Sequence, residues 1–339
     1  MRRSALVVLG LLRALTASAA PDDPIAKDTF AVAPGPSGSI WTLTVAGHVE
    51  RFDEAGKRVE DLKMVSPWAD RLWDGLRRIE PVPGGVLVLS MEGLVKVTAA
   101  GSKVLADGRL VRGAIDFAAS ADGKVVVIVA NDADNDVRSN VSALEAGKLR
   151  RIGTIDGYGV ARVAVDPAGT WVAVQRRTTV YSDAPGTLAV FAIADGKQMF
   201  AQKLCSGGIV RALDSTALAA CFPNDKTTDS RFGVAVYAVP SGKVARSWTG
   251  IDDAIAVSRD RRVILVNGLQ RDGSMLSVLD LATGKRTDLP TAWISFEEAN
   301  VGSGVWLGRN RVAMPGARVE PRPSLIYDVA ASPWARRAK

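Results

Sequence analysis

Short apolar runs recur along the chain, and each is bounded by residues that favour turns. Seven of these runs directly follow a turn: SIWTLTV, GVLVLSM, VVVIVA, TWVAVQ, ALAACF, VILVNG and VWLG. Runs of four to seven β-branched, aromatic or aliphatic residues between turn residues are typical of buried strands. The pattern therefore predicts seven buried strands spread along the chain.

A second series of turns alternates with these runs, and each turn centres on a glycine. The stretch LDLATGKRTDL (279–289) is the clearest copy, with a predicted strand on either side of its Gly-Lys turn. The turn glycines recur at intervals of 42 to 49 residues: Gly56, Gly101, Gly147, Gly196, Gly242 and Gly284. A repeat of about 40 to 50 residues that holds four strands is typical of one propeller blade.

The repeat predicts an all-β fold, a seven-bladed β-propeller with four-stranded antiparallel blades. A pair of β-sandwiches or an open β-solenoid is the alternative, and the blade length and strand content argue against the shorter coils of a solenoid. The propeller domain is expected at residues 29–333, with these blades: 29–64, 78–107, 112–155, 158–204, 207–249, 251–290 and 292–333.

The seventh repeat is the least regular. We expect its buried second strand in VWLG, residues 305–308, and its third strand at residues 324–330. Its fourth strand comes either from residues 335–339, within a basic tail at 334–339, or from the N-terminal segment. The sequence leaves these two possibilities open.

The Gly-Lys turns, such as ADGK at 194–197 and ATGK at 282–285, resemble those of the WD-repeat, YVTN-repeat and quinoprotein-type propeller superfamily. The likeness covers residues 29–330 and implies a fold rather than an activity, because such folds host many unrelated functions. The Gly-His and Trp-Asp signatures of true WD repeats do not recur at blade positions. The recurrent Trp of quinone-cofactor propellers is also missing, so no quinone cofactor is expected.

The first 20 residues read as a cleavable signal peptide. Arg2 and Arg3 precede an apolar stretch, and small residues suited to cleavage follow at 17–20. The apolar stretch is too short to cross about 30 Å of hydrocarbon. Residues 21–28 then read as a flexible segment, and the mature protein is expected to be periplasmic or extracellular, with no membrane span.

Charge excludes one class of partner. The chain carries a formal net charge of +7, which falls to +4 once Arg2, Arg3 and Arg13 are removed with the signal peptide. No Lys/Arg cluster with interleaved aromatic residues is present, so a nucleic-acid partner is not expected.

Two kinds of segment interrupt the repeat. Residues 66–79 predict a short helix, either a plug between blades or a partner-binding ridge that presents Trp68 and Trp73. The connections after the buried strands lengthen from blade three onward, at 131–140, 176–186, 223–232, 267–273 and 308–323. Insertions on one face of a repeat array often mark a binding face.

Basic residues decorate these connections, and they predict a surface for an anionic ligand or acidic partner. Ordinary solubilising charge is the alternative. The candidates are Arg138, Arg176, Arg177, Lys226, Arg231, Arg271, Arg309 and Arg311.

The segment NDADNDVRSN (131–140) holds the best candidate for a metal site. Asp132, Asp134 and Asp136 alternate among amide side chains, and hard cations such as Ca²⁺ take carboxylate and amide oxygens. The match to an EF-type loop is poor, because the Gly at the sixth position and the Glu at the twelfth are missing. A solvated acidic hairpin and a partner-contacting loop are the alternatives, and Ca²⁺ is the only cofactor suggested.

Other catalytic chemistry has little support. His48 is the single histidine, which leaves no strong Ser-His-Asp arrangement and no multi-His metal site. Cys205 and Cys221 are the two cysteines, and in an oxidising compartment we expect them to form a disulfide; two free buried thiols are the alternative. No catalytic residue is nominated.

The sequence favours an exported, monomeric β-propeller that acts as a binding or scaffold protein. Its loop-rich face, from blades three to seven, would contact a protein or glycan partner. The alternative is a metal-dependent propeller hydrolase such as a lactonase-like enzyme, in which Glu297 and Glu298 would join the three aspartates near the central axis. A third candidate function is that of a redox accessory protein of the quinoprotein type.

Overall fold

A computed structural model gives the structure of most of the repeat region. It describes residues 29–44, 46–63, 78–90, 93–132, 135–157, 161–176, 186–204, 210–213, 215–221, 233–249, 253–257, 262–270, 273–294, 305–307, 311–314 and 325–328. These residues form 27 strands arranged in antiparallel sheets, and one 3-10 turn at Pro36–Gly38.

The first three sheets each contain four consecutive strands. Strands β1 to β4 are Thr29–Pro34, Ile40–Thr44, His48–Phe52 and Arg58–Lys63. Strands β5 to β8 are Arg78–Val82, Gly85–Ser90, Gly93–Thr98 and Gly101–Asp107. Strands β9 to β12 are Ala114–Ala119, Val126–Asp132, Asn135–Glu145 and Lys148–Asp156. Each sheet pairs its strands in chain order.

The next three sheets repeat this arrangement. Strands β13 to β16 are Ala161–Val165, Trp171–Arg176, Gly186–Ala192 and Gln198–Leu204. Strands β17 to β20 are Val210–Leu213, Thr216–Cys221, Gly233–Ala238 and Val244–Thr249. Strands β21 to β24 are Asp253–Val257, Arg262–Gln270, Gly273–Asp280 and Arg286–Ile294. The seventh sheet has three strands within the described residues, β25 to β27: Val305–Leu307, Arg311–Met314 and Leu325–Asp328.

The second strands of the first and fourth sheets are buried on both faces. Every residue of Ile40–Thr44 is buried, and so is every residue of Trp171–Arg176. An apolar run without polar alternation is expected where a strand lies between two neighbouring sheets. The six runs predicted as second strands in repeats one to six are the second strands of their sheets.

Neighbouring sheets pack face to face through apolar clusters. Trp41 and Leu43 of the first sheet pack with Val86 and Val88 of the second. Similar clusters join the second sheet to the third, the third to the fourth, the fourth to the fifth and the fifth to the sixth. Among the described residues, the core is therefore a series of apolar layers between sheets.

The last sheet packs against the first. Ile40 and Phe52 of the first sheet form one buried cluster with Val305 and Ala313 of the seventh. Strand β25 also contacts β21 of the sixth sheet, so the seventh sheet lies between the sixth and the first. The two ends of the described chain are therefore joined by apolar packing.

Hydrogen bonds repeat at the outer edge between consecutive sheets. A side chain on a fourth strand donates to a carbonyl in the turn that follows the third strand of the next sheet. Arg150 Nη2 donates to Ile193 O at 2.8 Å, Gln202 Nε2 to Gly242 O at 3.3 Å and Arg246 Nη1 to Leu281 O at 2.7 Å. These bonds fix the sequence-repeated Gly turns against the preceding sheet.

Gly196 shows why such a turn needs glycine. Its φ is +74°, and a Cβ placed on it would lie 2.5 Å from the carbonyl oxygen of Ile152 on the preceding sheet. Positive φ disfavours any L side chain, and the close approach leaves no room for one.

Two expected boundaries were wrong. Arg78 and Ile79, placed at the end of a helix, begin strand β5; the rest of that predicted helix, residues 66–77, lies outside the described residues. The sixth sheet extends to Ile294, so residues 292–294 belong to it and not to the seventh repeat. In both cases pairing with a neighbouring strand sets where the strand begins or ends. The local sequence pattern does not show which residues pair.

Strand order in the seventh sheet also differs from the expectation. Val305–Leu307 was predicted as a second strand, but it pairs only with β26 and contacts the first strands β1 and β21. It is therefore a first strand, and Arg311–Met314, predicted as loop, is the second. Both candidates for a fourth strand, the N-terminal segment and residues 335–339, lie outside the described residues.

Two of the predicted long connections are mostly paired strand. In the third sheet β10 and β11 stay paired as far as Asp132 and Asn135, and in the sixth β22 and β23 stay paired as far as Gln270 and Gly273. Long hairpins replace the loops expected there.

Within the described part of the chain, no helix is long and apolar enough to cross a membrane.

Candidate functional site

Charged side chains gather where the first strands of four consecutive sheets lie side by side. Strand β5 contacts β9, β9 contacts β13, and β13 contacts β17. These four strands carry the following residues, called here the first-strand cluster: Arg78, Glu80, Asp116, Arg162 and Arg211. Charged groups on strands that are otherwise buried are costly unless they interact with one another.

Asp116 is the most deeply buried member. Its side chain is 3% exposed, and its Oδ2 atom accepts hydrogen bonds from Arg78 Nη1 and from the backbone N–H of Val163, the latter at 2.9 Å. Arg78 Nη1 also donates to Val163 O at 3.3 Å. One carboxylate on the third sheet therefore ties the second sheet to the fourth.

Arg78 is shared between two carboxylates. Its Nη2 atom lies 3.8 Å from Oε2 of Glu80, which adds a longer ion pair to the bond with Asp116. Burial alone would lower the pKa of Arg78, but the charges of Asp116 and Glu80 and the hydrogen bond to Asp116 outweigh it and raise that pKa. Arg78 therefore stays charged.

For Glu80, unlike Arg78, burial is itself the main cause of the pKa shift. Burial raises the pKa of its carboxyl above the ordinary value of 4.5, and the nearby charge of Asp116 acts in the same direction, while Arg78 and Arg211 oppose the rise. The side chains of Arg78 and Glu80 are nevertheless 24% and 27% exposed. Protein atoms surround these groups while water still reaches them, as expected for groups lining a crevice.

Arg211 is the least compensated cation. Burial, together with the charges of Arg78 and Arg162, lowers the pKa of its guanidinium to about 10, while Glu80 and Asp116 oppose the change. Its Nη1 donates to the carbonyl of Val210 at 3.0 Å. The cluster therefore combines a fixed ion pair at Asp116 with an electrostatically strained guanidinium that solvent can reach.

The sequence analysis did not nominate this cluster. Its members are spread over more than 130 residues, from Arg78 to Arg211, with no common motif. One signal was available, because isolated charged residues interrupt the apolar first strands RIEPV, AIDFAA, ARVAV and VRAL. Charged residues on the predicted first strands of a repeat array therefore indicate such a cluster.

The predicted metal-binding aspartates lie on the β10–β11 hairpin. Asp132 ends β10, Asp136 is on β11, and Asp134 lies outside the described residues. Among the described residues no group of three or more His, Cys, Asp or Glu side chains is arranged to hold a metal ion. The Ca²⁺ site remains a prediction, since its central aspartate is not described.

Two of the predicted partner-binding arginines are described in full. Arg138 is on the surface, where its Nε lies 3.2 Å from Oδ1 of Asp156, an exposed ion pair. Arg176 differs from the expectation: it is 1% exposed, its Nη1 donates to Ile155 O at 3.3 Å, and burial lowers its pKa. The prediction that Arg176 offers an exposed cation is wrong, because β14 continues through it between two packed sheets.

The remaining predicted contacts are described only in part or not at all. Arg311 begins strand β26. The others lie outside the described residues: Trp68, Trp73, Arg177, Lys226, Arg231, Arg271 and Arg309. Of the cysteines, Cys221 ends β18 and Cys205 is outside the described residues, so the disulfide stays a prediction.

Comparison with known proteins gives matches at the level of fold. No protein-family profile matches the chain, and no curated protein matches its sequence. The β-propeller domain of Cps50 (Swd1) from Myceliophteria thermophila is similar, with a TM-score of 0.60 and 11% identity over 90% of this chain and 98% of that one. The chain has a β-propeller fold.

A second solved structure supports the same conclusion. Hydrazine synthase from Kuenenia stuttgartiensis matches with a TM-score of 0.59 and 12% identity, covering 90% of this chain and 96% of that one. The predicted resemblance to the propeller superfamily is therefore confirmed. At such identities the similarity shows the fold and carries no activity with it.

Proposed function

We propose that this chain is an exported, seven-bladed β-propeller that acts as a binding protein for an acidic protein partner. The observation that carries this proposal is the propeller fold together with the basic residues in the connections between second and third strands. Asp116 accepts hydrogen bonds from Arg78 and from the backbone N–H of Val163, so we assign it a role in stability and not in catalysis. The basic residues of these connections favour an acidic partner.

The seven-bladed ring is supported by the packing of the sheets. Seven sheets follow one another in the described chain, and the seventh packs on both the sixth and the first. A closed ring removes open sheet edges, which otherwise promote aggregation. The propeller domain then spans residues 29–333, with the flexible segment 21–28 before it and the basic tail 334–339 after it.

The partner surface proposed here is the end of the propeller that carries the connections between second and third strands. In an antiparallel sheet whose strands pair in chain order, these connections lie at one end, and the Gly-Lys turns between third and fourth strands lie at the other. Arg177, Lys226 and Arg231 fall in these connections in the sequence, and Arg138 is on strand β11 of the β10–β11 hairpin.

The two ends allow a matched test of partner binding. The variant R177E/K226E/R231E reverses three charges at the proposed end, and K57E/K148E/K197E reverses three exposed lysines in the Gly turns at the other end. Partner capture from the exported fraction by immobilised mature protein should be lost with the first variant and kept with the second. Equal loss with both variants would show non-specific charge attraction and refute the proposed surface.

Export is tested by the mass of the mature N-terminus. Cleavage after residue 19 or 20 is expected, and the protein should be recovered from the periplasm or the medium. Recovery of the intact N-terminus inside the cell would refute export. If a glycan rather than a protein is captured by the same face, the partner class changes while the surface stands.

A further inference from the structure

The connection between β8 and β9, residues 108–113, joins the second sheet to the third and is described throughout. Because β8 is the fourth strand of its sheet, it ends where the connection between second and third strands lies. On the third sheet, the backbone N–H of Asn131, near the end of β10, donates to Gly113 O at 2.8 Å. The connection therefore lies at the proposed partner end, beside the base of the β10–β11 hairpin.

The connection is held in one conformation by bonds to the end of β8. Asp107 Oδ1 accepts hydrogen bonds from the backbone N–H of Arg109 at 2.9 Å and of Leu110 at 3.0 Å. The carbonyl of Asp107 accepts from the N–H of Val111 at 3.1 Å. The side chain of Val111 is 1% exposed and packs in the apolar cluster between the second and third sheets. A segment that is already ordered loses little conformational entropy when a partner binds.

The neighbours of Val111 are exposed to solvent. Leu110 is 40% exposed, and Arg109 and Arg112 are exposed as well. The other large apolar side chains exposed in the described chain lie on fourth strands, at the outer edge of their sheets: Val59, Val104 and Val244. Leu110 is therefore the large apolar side chain that the described residues expose at the proposed partner end.

Two unpaired guanidinium groups flank this leucine in the sequence. Among the described residues, the side chains of Arg109 and Arg112 have no ion pair and no hydrogen bond. Arg138 on the adjacent hairpin differs, because its Nε lies 3.2 Å from Oδ1 of Asp156. An unpaired guanidinium attracts carboxylates, and its planar N–H groups match their two oxygens.

Protein interfaces combine an apolar centre with a polar rim, and Arg is enriched in them. We propose that residues 109–112 bind an extended acidic segment of a protein, in which an apolar side chain lies between two carboxylates. Leu110 contacts the apolar side chain, and Arg109 and Arg112 bind the carboxylates. The proposal rests on the proposed binding function and names the chemistry that its partner presents.

Fluorescence anisotropy of labelled peptides mixed with the mature protein measures this binding. Three peptides of equal length are the probes: one carries a leucine between two glutamates, the second has serine in place of the leucine, and the third has lysines in place of the glutamates. The wild type should bind the first peptide most tightly, the second more weakly and the third not at all. Added NaCl should weaken the binding, because salt screens charges that are exposed.

Variants of the connection make the test specific. Arg109→Gln/Arg112→Gln should weaken binding of the first peptide at least about tenfold, since two charge-assisted contacts are lost. Leu110→Ser should bind the first peptide no better than the wild type binds the serine peptide. Arg151→Gln and Val244→Ser are the matched controls, which remove an exposed arginine and an exposed valine from fourth strands and should bind as the wild type does. The Tm of each variant checks folding, and the arginine pair alters exposed side chains alone.

Three results would overturn the inference. The first is a wild type that does not bind the first peptide. The second is equal affinity for the leucine and serine peptides, which would show attraction by charge alone. The third is an equal loss of binding with Arg151→Gln, which would show that the position of the arginines does not matter.

Partner capture separates this inference from the proposed function. If Arg109→Gln/Arg112→Gln retains a captured partner that R177E/K226E/R231E loses, the inference is wrong and the proposed function stands. Peptide binding as expected, with no partner captured by the wild type, refutes the proposed protein partner and leaves the site at residues 109–112 standing.

Discussion

The carboxylate of Asp116 accepts a hydrogen bond from the backbone N–H of Val163 at 2.9 Å, across the boundary between the third and fourth sheets. The same Oδ2 atom accepts a hydrogen bond from Arg78 on the second sheet. A single oxygen thus joins three consecutive sheets at their innermost strands. This polar contact adds a directional restraint to the apolar packing between the same sheets.

Replacing Asp116 should therefore be costly. Asp116→Ala leaves the Arg78 guanidinium with the more distant Glu80 as its carboxylate partner among the described residues and removes the acceptor of the Val163 N–H. We expect a loss of about 3 kcal/mol in the free energy of unfolding, measured by urea denaturation. Glu60→Ala is the control, since it breaks the half-exposed pair of Arg51 with Glu60 at 3.0 Å and should cost less than about 1 kcal/mol. Equal losses would contradict the role assigned to Asp116.

Two glycines with nearly the same backbone conformation provide a second test. Gly196 and Gly284 have φ of +74° and +75°, but a Cβ would lie 2.5 Å from Ile152 O at the first and 3.6 Å from Trp248 Nε1 at the second. Gly284→Ala should cost about 1–2 kcal/mol for backbone strain alone. Gly196→Ala should cost at least about 1 kcal/mol more for the clash between sheets. Chemical denaturation of both variants checks the order, and a reversed order would refute the packing described here.

The raised pKa of Glu80 predicts a pH dependence. A carboxyl whose pKa is raised on folding binds its proton more tightly in the folded chain, so the free energy of unfolding falls as the pH rises from 4.5 to the folded pKa. Glu80→Gln lacks this penalty. Its Tm relative to the wild type should therefore be more favourable at about pH 7.5 than at about pH 4.

Glu145 serves as the control because its pKa shifts in the opposite direction. A hydrogen bond from Arg150 lowers the pKa of Glu145, so its contribution to stability is present above 4.5 and lost as the pH falls through the folded pKa. Glu145→Gln should be least favourable relative to the wild type near neutral pH. The same pH trend in both variants would contradict the assignment for Glu80.

The metal prediction is tested by adding and removing Ca²⁺. If Asp132, Asp134 and Asp136 bind the ion, excess Ca²⁺ should raise the Tm of the mature protein, chelator should reverse the rise, and Asp134→Ala should abolish it. Asp195→Ala, in a Gly turn, is the control and should keep the response. An unchanged Tm in the wild type would leave a plain hairpin at β10–β11 and remove the support for a metal-dependent hydrolase.

The repeat could be predicted because its determinants are local. Turn glycines spaced 42 to 49 residues apart and apolar runs after a turn are encoded in short stretches such as residues 279–289. The strands of the first six sheets follow that pattern closely, with the largest extension at Ile294. Where the repeat degenerates, after residue 292, the local signal misassigned β25 as a second strand.

The all-β repeat and its apolar layers follow from the local sequence, since burial and turn preferences act over a few residues. Contacts between distant residues do not. The local pattern does not show that Arg78 meets Asp116 or that Arg176 is buried. Those facts follow from the stacking of consecutive sheets, which brings residues one repeat apart into contact and decides which face of each strand meets solvent.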